Sequence, residues 1–464
     1  MIKIHGIILH FLPSLGFILA VILLAHILRQ RRSPTSTLAW LLTIIFIPYI
    51  GVPFYLMFGG RKMKRKVAEK ILVKDPSIGR AFQAEQINPL AAPSALKGPP
   101  QAVDMNRVSV FSDGEKAYWA TLDLIRSARQ SVCVATFILG QDDTGKAIVA
   151  ALTEKAKEGI SVFLLLDALG SVSVRKRFLA PLIKAGGRTA FFMPMLHLPF
   201  RGRANLRNHR KMVIADGKSA IVGGMNLADE YMGLGTTPKR WQDLSMLING
   251  PVCTQIYGIF LSDWLFASGK DSERPVALGL RTEDRPDVLF QVMASGPDVK
   301  EDALRDMIVT ALFHAESRIW IVTPYFVPDE LLLDALCLAA KRGIDLRVVI
   351  PKKSNHVLAD LAREGYLSQL QECGASVFLY LPGMLHAKAI IMDDRVAITG
   401  SANMDMRSLL LNYELALFIY HREVIIQLKD WMQQLMDNCI ERSQHKNQTI
   451  SLIEGVGRLF APLL

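Results

Sequence analysis

One pattern occurs twice in this chain, 177 residues apart. His209, Lys211, Asp216, Gly223 and Asn226 stand in one frame, and His386, Lys388, Asp393, Gly400 and Asn403 stand in the same frame. A single His-x-Lys arises easily by chance, but five matched polar or glycine positions, repeated, do not. The chain therefore contains one structural unit used twice, and any fold it adopts must accommodate both copies. A repeated hairpin without chemistry is the alternative, because His and Lys also suit a solvated strand.

Each copy reads as a short hairpin. From Lys211 to Gly223 an apolar strand meets an Asp216-Gly217 turn and a second apolar strand, and Lys388 to Gly400 repeats this around Asp393-Asp394. His and Lys at i and i+2 project from the same strand face. The turn aspartates suit backbone hydrogen bonding, and Gly223 and Gly400 suit close approach to another element or a ligand. Around the hairpins, strand and helix patterns alternate in two series. Ser131 to Ile138, Gly145 to Glu158 and Ile160 to Asp167 read strand, helix, strand; Arg318 to Thr323, Asp329 to Arg342 and Ile344 to Ile350 repeat the order. Such alternation predicts an α/β fold with helices on both faces of a central sheet. The site is expected where the two halves meet, about a pseudo-twofold axis.

The front of the chain is different. Gly6 to Leu28 and Leu38 to Phe58 are apolar runs of 23 and 21 residues without Asp, Glu, Lys or Arg, each long enough to cross a hydrocarbon core of about 30 Å. They predict two transmembrane helices rather than a cleaved signal peptide, since the first run lacks a small-residue cleavage site. The basic cluster from Arg61 to Lys66 outweighs Arg29, Arg31 and Arg32, so two spans would leave the N-terminus and the body in the cytoplasm. Pro48, Gly51 and Pro53 interrupt the second run, and a re-entrant hairpin is the competing reading. The expected domains are an anchor at 1–60, a basic linker at 61–104, and two α/β domains at 105–290 and 291–464. Five scattered cysteines fit a reducing compartment. A net charge of +11 fits an anionic lipid surface; nucleic acid is disfavoured, for want of a basic and aromatic face for base stacking.

The repeated motifs resemble the HKD signatures of the phospholipase D superfamily. Asn205-Leu-Arg-Asn-His-Arg-Lys211, Gly223-Gly-Met-Asn226, Thr323-Pro-Tyr-Phe-Val-Pro-Asp329, Leu385-His-Ala-Lys388 and Asn403-Met-Asp-Met-Arg-Ser-Leu-Leu-Leu-Asn-Tyr-Glu414 narrow the likeness to bacterial cardiolipin synthases. The resemblance implies two tandem phospholipase D-like α-β-α domains and a phosphatidyltransferase of the bacterial inner membrane. Its implied reaction moves a phosphatidyl group between two phosphatidylglycerol molecules, with hydrolysis, or phosphatidylethanolamine as donor, as alternatives.

On this reading His209 is the nucleophile and His386 the acid/base, with reversed roles open. Lys211, Lys388, Asn226 and Asn403 would neutralise the phosphate oxygens without metal or cofactor. Asp216 and Asp393 are counted with the site as members of the signature. Glu414, 28 residues after His386, and Asp243, 34 residues after His209, are the expected orienting carboxylates. Ser401 stands where the first motif has Gly224, so the half-sites are not expected to be equal. The apolar segment Phe191 to Phe200 and the tail Ile450 to Leu464 are further candidates for lipid contact.

Overall fold

The computed structural model describes residues 21–29, 34–58, 102–193, 206–235, 237–269, 288–298 and 302–443. Residues 6–20 of the first apolar run, residues 194–200 of the Phe191 segment and the whole C-terminal tail lie outside them. The chain divides into two compact units, residues 1–63 with 194–206, and residues 64–193 with 207–464.

In the first unit the second apolar run does not form the single spanning helix expected of it. It breaks into α1 (Pro34–Phe46) and α2 (Pro48–Phe58), about 20 and 16 Å long at 1.5 Å per residue. Among the described residues no helix is long and apolar enough to cross a membrane. The cause is Pro48, which has no N–H to continue the ladder and disfavours helical geometry at Ile47. The chain then doubles back. A Cβ on Gly51 would lie 2.6 Å from the Thr43 carbonyl oxygen, and Trp40 meets Tyr55 edge-on at 5.2 Å. Leu23 and Ile27, helical in the first run, bury against Ile44, Val52 and Tyr55. Phe46, Ile47 and Tyr49 at the bend stay exposed.

The second unit carries the repeat. Its first half runs β1 (Val103–Phe111), α3 (Gly114–Ser127), β2 (Ser131–Thr136), α4 (Asp143–Lys157), β3 (Ser161–Asp167), α5 (Lys176–Lys184), β4 (Arg188–Phe192), β5 (Met212–Ala215), β6 (Ser219–Gly223), β7 (Ser245–Asn249) and α6 (Val252–Ser268). The second half runs β8 (Val288–Ser295), α7 (Ala303–Phe313), β9 (Arg318–Val322), β10 (Phe326–Val327), α8 (Glu330–Lys341), β11 (Asp345–Pro351), α9 (Val357–Glu372), β12 (Ser376–Tyr380), β13 (Ala389–Met392), β14 (Val396–Gly400), β15 (Met404–Asp405), α10 (Met406–Leu410), β16 (Glu414–Ile419), α11 (Arg422–Met436) and β17 (Cys439–Glu441).

The long strands join one sheet in the order β17-β12-β11-β9-β13-β14-β16-β8-β1-β7-β6-β5-β2-β3-β4. Leaving out β17, this order is a palindrome of equivalent strands about the antiparallel β8–β1 pair. The two expected α/β domains are thus halves of one sheet within one compact unit, each with its own apolar core. Boundaries drawn at residues 105 and 291 cut β1 and β8; the division belongs between α6 and β8.

Local sequence explains the matched elements. Asp142 and Asp329 cap α4 and α8 through the amides of Gly145 and Leu332. Gly159 and Gly343, at φ +83° and +86°, stop the same helices in the left-handed region that glycine tolerates. Strands β2 and β16 are buried at every residue, as expected of central strands covered on both faces.

Candidate active site

Both hairpins form as the sequence predicts. Asp216 and Asp393 adopt positive φ at the turns, +55° and +54°, and their carboxylates are occupied there. Asp216 accepts from the amides of Arg129, Gln130 and Ser131; Asp393 accepts from Glu316, Ser317 and Arg318 amides and the Ser317 hydroxyl. These contacts lie at the turn end of each hairpin, whereas His209 and His386 precede the opposite end of β5 and β13. The signature aspartates are therefore fasteners of the hairpin, not members of the reacting group: their lone pairs are filled by amides a strand's length from the histidines.

Gly223 and Gly400 serve strand contact. A Cβ would lie 2.4 Å from the Leu244 carbonyl oxygen at Gly223 and 2.1 Å from that of Leu415 at Gly400.

Each histidine is set against the other half. The Asn208–Tyr413 and Gln242–Leu385 bridges bring the start of each hairpin beside the other half, and the His209 amide donates to the Tyr413 carbonyl at 2.9 Å. The carboxylates are consequently crossed. His209 Nδ1 lies 3.2 Å from Glu414 Oε2, while His386 Nδ1 lies 2.6 Å from Asp243 Oδ2. Counting along the chain associates each carboxylate with the histidine of its own half; folding gives it to the other. A carboxylate on Nδ1 fixes the tautomer with the proton there and leaves the Nε2 lone pair available.

Behind each carboxylate the halves differ. The Ser401 hydroxyl donates to Glu414 at 2.5 Å. At Gly224, the equivalent position, a Cβ would lie only 2.2 Å from Asp243 Oδ1, so any side chain would push that carboxylate aside. Both acids are fully buried, which alone would raise them, but neighbouring charge prevails. His209 and Lys211, with hydrogen bonds from His209 and Ser401, hold Glu414 below its ordinary value; Lys388 and His386 do the same for Asp243.

The bases shift the other way. Burial lowers His209, with Glu414 opposing and the two lysines assisting. Burial, then the Lys388 charge, pushes His386 down to about 3. The Lys388 ammonium lies 2.8 Å from His386 Nδ1 and 3.2 Å from its Nε2, and burial brings Lys388 itself down to about 8. Burial also takes Lys211 well below its ordinary value; its ammonium donates to the His209 carbonyl at 2.7 Å and sits over the Phe137 ring.

The asparagines are already partly committed. Asn226 Oδ1 accepts from the Ile138 amide at 3.1 Å, and its side chain hydrogen-bonds the Tyr231 hydroxyl. Asn403 bonds Asp405, leaving its buried Oδ1 without a partner.

Sequence reasoning missed the rings that cover the histidines. Phe137 meets His209 at 5.1 Å, and Tyr231 and Trp241 meet His386 at 5.1 and 5.4 Å. It also missed Arg210, buried with Asp263 at 2.5 Å and donating to the Glu414 and Ser295 carbonyls. For Phe137 the available signal was the triplet Thr136-Phe137-Ile138, which stands in the same frame as Thr323-Pro324-Tyr325 of the other half. Each threonine hydroxyl closes on a carbonyl two residues on, at 2.9 and 2.8 Å. Among the described residues no group of three His, Cys, Asp or Glu side chains is placed to hold a metal ion.

A fold of two matched halves with paired His-Lys hairpins at their junction defines a phospholipase D-like protein. Residues 121–264 and 308–436 match the family described as cardiolipin synthase, PLD-like domain, and residues 18–60 match the phospholipase D-nuclease N-terminal family. Cardiolipin synthase 1 of Bacillus anthracis is 33% identical over 461 residues, covering 94% of this chain and 90% of the relative. The major cardiolipin synthase of Bacillus subtilis (strain 168) is also 33% identical, covering 98% and 99%. The crystal structure of a phosphatidylserine synthase from Haemophilus influenzae shares the fold, with a TM-score of 0.58 and 16% identity over 77% of this chain and 93% of that one. The chain belongs to the cardiolipin synthase family of phospholipase D-like proteins, a family of phosphatidyltransferases.

Proposed function

We propose that the chain makes cardiolipin from two molecules of phosphatidylglycerol through a phosphohistidine on His209. The carrying observation is the pair of imidazoles, each held at Nδ1 by a buried carboxylate of the opposite half. His209 Nε2 attacks phosphorus, the bond to the glycerol headgroup breaks, and His386 gives its proton to the leaving alkoxide. A hydroxyl of a second phosphatidylglycerol then returns a proton to His386 and displaces His209, forming the new phosphodiester. One difficult exchange between alcohols becomes two displacements, with no nucleotide consumed.

Lys211 and Lys388, with the remaining N–H of each asparagine, are the groups that would hold the phosphate oxygens. Phosphate arrival also solves the problem of a histidine held near 3. It draws Lys388 off His386 and adds an anion beside it, and both changes raise His386 so that it carries the proton needed for the leaving group.

The membrane is where both substrates reside. We read the second apolar run as a re-entrant hairpin, because α1 and α2 double back at Pro48. Both flanking basic clusters then stay on the cytoplasmic side with the body.

The test is to reconstitute the purified full chain with phosphatidylglycerol alone and identify the products by mass. Cardiolipin and glycerol in equal amounts are expected, and added glycerol should reverse the reaction. Dominant phosphatidic acid would make the protein a phospholipase, and a requirement for phosphatidylethanolamine would change the donor.

A further inference from the structure

Large apolar side chains in water are ordinarily scattered singly over a protein surface. Among the described residues of the catalytic body, the three most exposed are Val357 at 73%, Val172 at 68% and Leu234 at 64%. They are not scattered. Val172 lies in the loop after β3, where the Ser171 hydroxyl donates to the Phe137 carbonyl at 2.9 Å. A Cβ on Gly170 would lie 2.8 Å from the Phe137 ring, the ring that packs on His209. Val357 opens the helix after β11, the equivalent connection of the other half. Its neighbour His356 meets Tyr325 at 5.4 Å, and Tyr325 lies close enough to Tyr231 to act on its hydroxyl electrostatically. Leu234 follows three residues after Tyr231, whose ring covers His386. The connections after β3 and β11 leave the end of the sheet at which the catalytic hairpins begin, and Met232, two residues before Leu234, accepts from the Thr144 hydroxyl at the start of α4, so all three points lie at that end.

Charge singles out the partner. Arg175, Lys176 and Arg177 follow Val172, Lys352 and Lys353 precede Val357, and all five are exposed. No Asp or Glu occurs from residue 168 to 177 or from 351 to 358. Leu358 and Leu361 extend the apolar surface at 57% and 42% exposure. Apolar points among cations fit an anionic bilayer, with side chains in the acyl boundary and ammonium or guanidinium groups at the phosphates.

We propose that this rim is a membrane contact made by the catalytic body itself, in addition to the N-terminal helices, seating the mouth of the site on an anionic leaflet. Substrate lipids then reach the histidines without passing through water. The inference rests on the reading of the body as a lipid phosphatidyltransferase.

The full-length protein, with Cys373 and Cys439 replaced by Ser, is given one labelling site by Val172→Cys, Val357→Cys or, at the opposite end of the sheet, Lys341→Cys. Each fluorophore-labelled form is reconstituted in phosphatidylglycerol-containing vesicles bearing nitroxides on the acyl chains. Quenching of at least about twofold is expected at positions 172 and 357 and none at 341, as for side chains that enter the acyl boundary. Equal signals at the three positions, or a change at 172 and 357 that needs a second protein rather than nitroxide lipid, would overturn the proposal. A Val172→Asp, Leu234→Asp, Val357→Asp variant should lose about tenfold in turnover on bilayers and keep it on monomeric short-chain phosphatidylglycerol, since only the bilayer must be penetrated. Equal loss on both substrates would mean the changes act on the site and would also refute the rim. If the unaltered enzyme turns over neither substrate, the functional reading fails, while the quenching still judges the rim.

Discussion

The two half-sites share one backbone design and differ in what surrounds each imidazole. The His209 side chain keeps 13% of its surface exposed, with Phe137 on its ring and Ser401 and Glu414 behind it. The His386 side chain keeps 5%, between Tyr231 and Trp241, with Asp243 behind it and Lys388 pressed against it. Arg210 follows the first histidine and pins the start of β16, whereas Ala387 follows the second. Duplicated geometry thus places two equivalent bases, and a few unmatched neighbours make one accessible and the other strongly dependent on its lysine. That division suits a nucleophile and a proton carrier.

Removing each histidine puts the division to its hardest test. His209→Ala and His386→Ala should both reduce turnover by at least about 10²–10⁴-fold, the usual worth of a positioned proton-transfer group. Only His209→Ala should abolish acid-labile labelling by a phosphatidyl donor. Labelling that survives in His209→Ala and disappears in His386→Ala would reverse the assignment.

The carboxylates test the crossing. Orienting partners of this kind contribute about 10–100-fold. Glu414→Gln should therefore act as a weaker His209 change, depressing formation of the labelled intermediate, and Asp243→Asn as a weaker His386 change, acting on proton delivery to the leaving group. If each variant instead impaired the histidine of its own half, the observed pairing would not be the working one.

Gly224 and Ser401 sharpen the same comparison at smaller scale. Ser401→Ala removes a hydrogen bond to a buried carboxylate, worth about 1.5–3 kcal/mol for a charged group. It should lower the intermediate-forming step by about tenfold or more, with Glu414 closer to its ordinary pKa. Gly224→Ser should not restore symmetry but harm the His386 side, because its Cβ would displace Asp243. A Gly224→Ser enzyme with unaltered turnover would show that Asp243 has room to move.

Much of this was legible because the repeat, the βαβ alternation and the Gly159 and Gly343 helix stops are local signals with local causes. The crossing was not, since it depends on how the Asn208–Tyr413 and Gln242–Leu385 bridges join the halves, and spacing along the chain points to the wrong partner. The turn aspartates read by position as acceptors of backbone hydrogen bonds, which is what they are, and were counted with the site through the signature, in which they stand beside the histidines and lysines. The second apolar run has enough length and apolarity to span a membrane, and the re-entrant alternative was legible in Pro48, Gly51 and Pro53; sequence position does not give the close approach by which Gly51 lets the returning helix pack on Thr43.

Activity and stability should respond oppositely to pH through the buried lysines. Lys388, brought down to about 8 from 10.5 chiefly by burial, must be charged to hold phosphate, so kcat/KM should fall as pH rises through about 8. The acid limb should lie below 6.5, since burial lowers His209 and its neutral form attacks. Stability runs oppositely. Between about 8 and 10.5 the unfolded chain holds a proton on this lysine that the folded chain has lost, so unfolding free energy from this group rises with pH across the window. Its contribution is full above 10.5 and falls away as pH drops to about 8. Substrate phosphate favours the ammonium, so the alkaline limb of kcat should sit above that of kcat/KM. Parallel loss of activity and of thermal stability between pH 8 and 10 would attribute the limb to unfolding. Opposite trends would locate it on a buried lysine, and a limb that moves in Lys388→Arg but not in Lys211→Arg, where burial also lowers the lysine, would assign it to the His386 half-site.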